Sequence, residues 1–149
     1  MTAPEIELRR ATDGDAHAVA DVWLASFRAT YDFPPAHPDD DVRDWVRDDL
    51  LRETESWVAV REGTVIGFLS LRDGWVEQLY VRPEWTGAGI GSRLVALAKE
   101  RQPGGLQLWT FVVNAGARRF YERHGFVAVE TTDGSGNEER QPDVRYAWR

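Results

Sequence analysis

The chain has 149 residues, one domain's worth, with 42% hydrophobic and 29% charged residues, the balance of a folded globular protein. No stretch approaches the roughly 20 apolar residues of a membrane-spanning helix, and Met1-Thr2-Ala3-Pro4-Glu5 resembles no secretory signal. The absence of cysteine excludes disulfides and a thiol nucleophile, and a net charge of −7 argues against nucleic-acid binding, so a cytoplasmic protein with cationic partners is expected.

In chain order the pattern alternates between strands and helices, with no linker and no repeat, and predicts a single domain over 1–149. Ile6 to Arg10 reads as a short strand. Thr12 or Asp13 can cap a helix on which Val19, Val22, Trp23, Ser26, Phe27 and Thr30 recur at helical spacing. Phe33-Pro34-Pro35-Ala36-His37-Pro38 ends it, because proline has no amide to donate. A second helix is predicted from Asp39 to Leu51. Three strands follow at Ser56 to Arg61, Thr64 to Arg72 and Trp75 to Val81, joined by the hairpin dipeptides Glu62-Gly63 and Asp73-Gly74. A helix from Gly89 to Gln102, a strand from Leu106 to Val112 and a helix from Asn114 to His124 come next. Two strands, Val127 to Thr132 and Val144 to Trp148, close the pattern around a long polar loop.

The chemistry concentrates at Leu79-Tyr80-Val81-Arg82-Pro83-Glu84-Trp85-Thr86-Gly87-Ala88-Gly89-Ile90-Gly91-Ser92. A strand, a glycine-rich turn and an amphipathic helix make a phosphate cradle. The first amides of a helix have no intrahelical acceptor, and the helix dipole favours negative charge beside them. A nucleotide-hydrolysing loop needs a lysine after its last glycine, and Gly91-Ser92-Arg93 has none. A dinucleotide fingerprint needs two residues between its second and third glycines, whereas only Ile90 separates Gly89 from Gly91.

The segment from Trp75 to Phe126 resembles the cofactor-binding core of the GNAT superfamily of N-acetyltransferases. That family's pattern is Arg or Gln, two residues, Gly, one residue, then Gly or Ala. Thr86 to Gly91 follows it, with Thr86 in place of the first residue. A second match, Asn114-Ala115-Gly116-Ala117-Arg118-Arg119-Phe120-Tyr121 to Gly125-Phe126, is similar to the family's Asn, helical Tyr and Gly-Phe. The resemblance implies an α/β fold: a splayed, mixed sheet of about seven strands flanked by about four helices. It also implies transfer of an acetyl group from acetyl-CoA to an amine through a ternary complex, with no metal. A catalytically silent CoA-binding sensor of the same fold is the alternative. The expected cofactor-binding residues are Leu79, Tyr80, Val81, Thr86, Gly87, Ala88, Gly89, Ile90, Gly91, Ser92, Asn114 and Tyr121. Leu79 to Val81 would pair their main chain with the pantetheine arm.

An acceptor ammonium with a pKa near ~10 must lose a proton before it attacks, and the departing thiolate must gain one. Tyr121 is the candidate acid, or else a core aromatic beside Phe120. Glu77 is the candidate base, or else a member of a salt bridge on a buried strand. Asn114 caps its helix whether or not it also touches the cofactor. Trp23, Phe27, Tyr31 and Phe33 either line an acceptor pocket or belong to the core.

The loop Asp133 to Glu139 starts like a calcium site but has Glu138 where glycine is required and Val144 at the last ligand position. It reads as a solvated hairpin or as an acidic rim for a cationic substrate or a homodimer partner. His17, His37 and His124 are too scattered for a metal site. Carboxylates at Glu77, Asp133, Glu138 and Glu139 favour a cationic amine acceptor. Arg82, Arg93, Arg118 and Arg119 are expected to make the opposite mouth of the cleft basic.

Overall fold

Each predicted hairpin closes on its expected dipeptide. A computed structural model describes residues 5–149. Strand β1 (Glu7–Arg10) begins one residue later than expected, and Asp13–Asp15 form a 3-10 turn that leads into α1 (Ala16–Thr30). A helical stretch follows: α2 (Asp39–Trp45), a π turn (Val46–Leu50) and α3 (Leu51–Glu53). Counting that stretch as one body, the described residues contain four substantial helical bodies. Strands β2 (Glu55–Arg61), β3 (Thr64–Arg72) and β4 (Trp75–Val81) are consecutive hairpins. Their turns have positive φ at Glu62 (50°), Gly63 (79°), Asp73 (52°) and Gly74 (83°), which matches the twist of the flanking strands. The rest comprises α4 (Ile90–Arg101), β5 (Leu106–Phe111), α5 (Ala115–Arg123), β6 (Val127–Thr131) and β7 (Asp143–Trp148).

The seven strands form one mixed sheet in the order β1-β2-β3-β4-β5-β7-β6. All neighbours are antiparallel except β4 and β5, which are parallel and paired only at Trp75↔Gln107. Beyond that pair the two strands separate, so the sheet is open between Val81 and Phe111. The register of β3 against β4 slips between Ser70 and Leu71, leaving Glu77 as the extra residue of a bulge.

Two apolar clusters hold the layers. On one face Val19, Ala20 and Val22 of α1, with Val46 and Leu50, pack on Val58 and Phe68. On the other, Ile90, Leu94, Val95 and Ala98 of α4 pack with Tyr121, Phe126, Leu106, Leu108 and Tyr146. The second cluster bridges both halves of the sheet, because α4 and α5 meet at Gly91. A Cβ there would stand 3.2 Å from the Phe120 ring.

At the other end of the molecule, buried Asp15 ties β1 to the start of α1. Its carboxylate accepts from Arg9 Nη1 and Nη2 at 2.8 and 2.9 Å and from the Thr12 amide at 2.7 Å. The Arg9 hydrogen bond is the main cause that lowers its pKa from 3.8 to about 2, against the opposing effect of burial. A carboxylate whose pKa is lower folded than unfolded stabilises above its unfolded pKa and loses that contribution as pH falls through its folded one. The contribution is about 2 kcal/mol. Urea midpoints measured between about pH 5 and pH 2 are expected to fall less steeply in Asp15→Asn than in the parent. Parallel slopes would remove Asp15 from the acid response.

Candidate active site

The opening between β4 and β5 exposes main chain. Arg82 N–H donates to Ile66 O at 2.8 Å, and in an antiparallel ladder the doubly bonded pairs recur every second residue. Phe68–Tyr80 and Ser70–Gln78 are therefore bonded pairs, and the peptide groups of Leu79 and Val81 face the opening. The Val81 carbonyl already accepts from Ser26 Oγ at 2.8 Å. The main chain of Tyr80 is engaged with β3, so what Tyr80 offers the opening is its side chain rather than the backbone pairing expected of it.

The glycine-rich turn meets the opening at the start of α4. Gly87 and Gly89 have φ of 81° and 83°, and Gly89 takes the N-cap position with no side-chain cap. The first intrahelical bond runs from Arg93 N–H to Gly89 O at 3.1 Å, so the amides of Ile90, Gly91 and Ser92 lack helical acceptors. A Cβ built on Gly87 or Gly89 meets no atom within 4 Å. This is an open turn bordered by backbone donors, a polarity that suits an anion such as a pyrophosphate. Ala88 is exposed between the two glycines. The Thr86 hydroxyl donates to Pro83 O at 2.9 Å, so it braces its own turn. Ser92 Oγ lies 3.1 Å from His124 Nε2, whose pKa is lowered by burial and then by Lys99 and Arg123.

Asn114 caps α5 as expected: its Oδ1 accepts from Ala117 N–H at 3.0 Å. Its Nδ2 donates to the Tyr31 hydroxyl at 3.0 Å, which joins α1 to α5 across the opening. Tyr121 is 8% exposed, beside Phe120 and Phe126. Its hydroxyl has no hydrogen-bond partner among the described residues. Burial, then the nearby Tyr31, pushes its pKa above that of an ordinary phenol. Tyr80 is pushed up likewise, by burial first and then by Tyr31, Tyr121 and Glu139. Glu139 thus acts on the phenols of Tyr31 and Tyr80, and Tyr31 on that of Tyr121.

On the α1 side of the opening is a cavity of about 580 Å³. Trp23, Phe27, Trp45, Tyr80 and Phe111 supply its aromatic wall, His37 an imidazole, and Asp41, Glu138 and Glu139 its carboxylates. Trp23 and Phe27 stack at 5.1 Å, and Tyr31 and Phe33 stack at 4.9 Å against Phe111. The β6–β7 loop reaches this cavity because His37 Nε2 and Glu138 Oε2 lie 2.8 Å apart. Of its two sequence readings, solvated hairpin or acidic rim, the rim matches this position.

The sequence model of the Acetyltransferase (GNAT) family matches residues 17–126. The chain belongs to the GNAT family. It is 30% identical over 124 residues to the peptidyl-lysine N-acetyltransferase YiaC of Escherichia coli K12, covering 83% of this chain and 84% of that one. It is 33% identical to YjaB of the same organism, also named a peptidyl-lysine N-acetyltransferase, over 81% of this chain and 82% of that one. The solution structure of apo YjaB superposes with a TM-score of 0.80, at 28% identity and 97% coverage of both chains. The fold is also that of the PaiA N-acetyltransferase of Thermoplasma acidophilum in complex with coenzyme A, with a TM-score of 0.76, 23% identity and 97% and 99% coverage. GNAT membership makes this chain an acyl-CoA-dependent N-acetyltransferase.

Against the residues expected of a GNAT enzyme, the turn and Asn114 stand where the sequence motifs put them. Glu77 is different. Its Oε1 accepts from Arg72 Nε at 2.7 Å, and it lines a separate shallow hollow with Trp75, Val76, Gln78 and Trp109. Of its two sequence readings, the salt bridge is the one formed. Of the four arginines expected at the basic mouth, Arg119 is exposed with no partner among the described residues, and the other three are engaged internally. Arg82 pairs with Glu84 at 2.6 Å, Arg93 donates to Ile6 O at 2.9 Å, and Arg118 donates to the Tyr146 hydroxyl at 3.3 Å. Backbone amides therefore carry more of the phosphate-binding case than arginines do. Trp45 and Asp41 were not singled out from sequence, although their spacing on an acidic helix start was the available signal. Among the described residues no group of three His, Asp or Glu could hold a metal, and no helix is long and apolar enough to cross a membrane.

Proposed function

We propose that this chain transfers the acetyl group of acetyl-CoA to the primary amine of a cationic aminoalkyl chain, by direct attack with both substrates bound. The observation that carries this reading is the shared opening. Its strands border both the unengaged amides at the start of α4 and an aromatic cavity with a carboxylate rim. The first suits a pyrophosphate and the second an alkylammonium, whose stem packs on rings while its charge meets carboxylates. The relatives YiaC and YjaB are named for peptidyl-lysine, which supports a lysine side chain as the acceptor.

The chemistry balances with groups of this chain. The ammonium gives one proton to a carboxylate and thence to solvent, which frees the nitrogen lone pair. The C–N bond forms and the C–S bond breaks. The sulfur takes a proton from Tyr121, whose phenolate is restored by the second proton that the acylated nitrogen sheds. One proton is released overall. A panel of lysine peptides, alkyldiamines and anionic amines, read by thiol release and product mass, tests the reading. Cationic aminoalkyl acceptors are expected to be acetylated fastest. An anionic amine as best acceptor sinks the cationic class, and tight CoA binding with no transfer to any amine favours a sensor.

A further inference from the structure

Four carboxylates stand near the opening. Glu77 is paired with Arg72 and Glu138 faces His37, while Asp41 lines the cavity too but sits on the exposed first turn of α2. Glu139 differs. It lines the cavity with Gln78, Tyr80 and Phe111, and among the described residues it has no hydrogen bond or ion pair.

The loop holds Glu139 in place from both sides. Asn137 Nδ2 donates to Gln141 O at 2.7 Å and to Asp143 Oδ2 at 3.3 Å, while Asn137 Oδ1 accepts from Gln141 N–H at 3.2 Å. Gly134 leaves no room for variation, since a Cβ there would lie 2.4 Å from the carbonyl carbon of Gln141. A carboxylate carried by a loop braced in this way, with no counter-ion among the described residues and lining a cavity with aromatic rings, suits a cation that enters from outside.

We propose that Glu139 is the acceptor-binding carboxylate, which holds the incoming ammonium against the Tyr80 ring and takes the proton that must leave before attack. This rests on the reading that the cavity receives the amine. The proton passes from the acceptor nitrogen to a Glu139 oxygen and then through the cavity mouth to solvent. The nitrogen lone pair so freed forms the C–N bond as the C–S bond breaks. The charge of Glu139 already reaches the phenols of Tyr31 and Tyr80, which sets the carboxylate close to the opening.

The test compares two acceptors of equal chain length: an alkylamine, cationic at neutral pH, and an alkoxyamine, neutral there. In Glu139→Gln, kcat/KM for the alkylamine is expected to fall roughly 10- to 100-fold, the factor for losing one charged hydrogen bond. The alkoxyamine should fall several-fold less, and the affinity for CoA by calorimetry should stay within about twofold, which also reports a folded chain. Equal losses for both acceptors, or no loss for the alkylamine, overturn the role of Glu139. A parent protein that binds acetyl-CoA yet acetylates neither acceptor overturns the functional reading itself.

Discussion

A Gly89→Val variant is expected to remain folded and to lose at least about 100-fold in CoA affinity. Two effects compete at this position, and their sizes separate them. The backbone is left-handed, with φ of 83°, so valine costs about 1–2 kcal/mol of conformational strain. A domain has roughly 5–15 kcal/mol of stability, so that strain alone does not unfold it. Binding suffers more. The added Cβ meets no protein atom within 4 Å, so the side chain occupies open space beside the free amides of α4, where the phosphates are expected. Displacing a phosphate from two backbone amides removes charge-assisted hydrogen bonds of about 1.5–3 kcal/mol each. Calorimetry with CoA reads the loss. Unchanged affinity in a folded variant would sink the cradle. Gly91 is a poorer probe than its place in the motif suggests, because its Cβ would press on Phe120 and disturb the α4–α5 contact first.

Removing one oxygen should have the second large effect. Tyr121→Phe is expected to lower kcat about 10²-fold, the usual range for a general acid, with near-normal CoA affinity. The hydroxyl makes no hydrogen bond among the described residues, so its loss should leave the melting temperature nearly unchanged or slightly raised. That separates the proton donor from the core aromatic, since the ring packing against Phe120 and Phe126 survives. Burial raises the Tyr121 pKa, so the phenol keeps its proton through neutral pH and past the ordinary value near ~10. Any alkaline fall in kcat due to Tyr121 therefore begins above that value and is absent from the variant. Full turnover in Tyr121→Phe would return the residue to the core.

The parts of this fold that local chemistry decides were legible in the sequence. Glu62-Gly63 and Asp73-Gly74 can adopt the positive φ that two-residue hairpins require, so three strands followed with their registers nearly fixed. The glycines before Ile90 and the asparagine before Ala115 announced two helix starts. Contacts between distant segments were not legible. The partner of Glu77 depends on a bulge that turns it towards Arg72, and periodicity carries no mark of that extra residue. The bond from Asn114 to Tyr31 spans 83 positions, and that from His37 to Glu138 spans 101. The first arises only once the end of α1 meets the start of α5, and the second once the α1–α2 connection meets the β6–β7 loop. The aromatic cavity was therefore visible as residue types but not as a place.

A sheet held together at its middle by the single pair Trp75↔Gln107 has a mechanical weak point where its ligand is expected. The four strands on one side and the three on the other are joined chiefly through their covering layers: the core under α4 and α5 on one face, and the Asn114–Tyr31, His37–Glu138 and Tyr31–Phe111 contacts on the other. A molecule lying across the gap couples the two bodies, and by mass action it stabilises the folded chain by about 2.7 kcal/mol when present at a hundred times its dissociation constant. The supply of that molecule then governs two properties at once: how fast the enzyme turns over, and how long it resists unfolding and proteolysis.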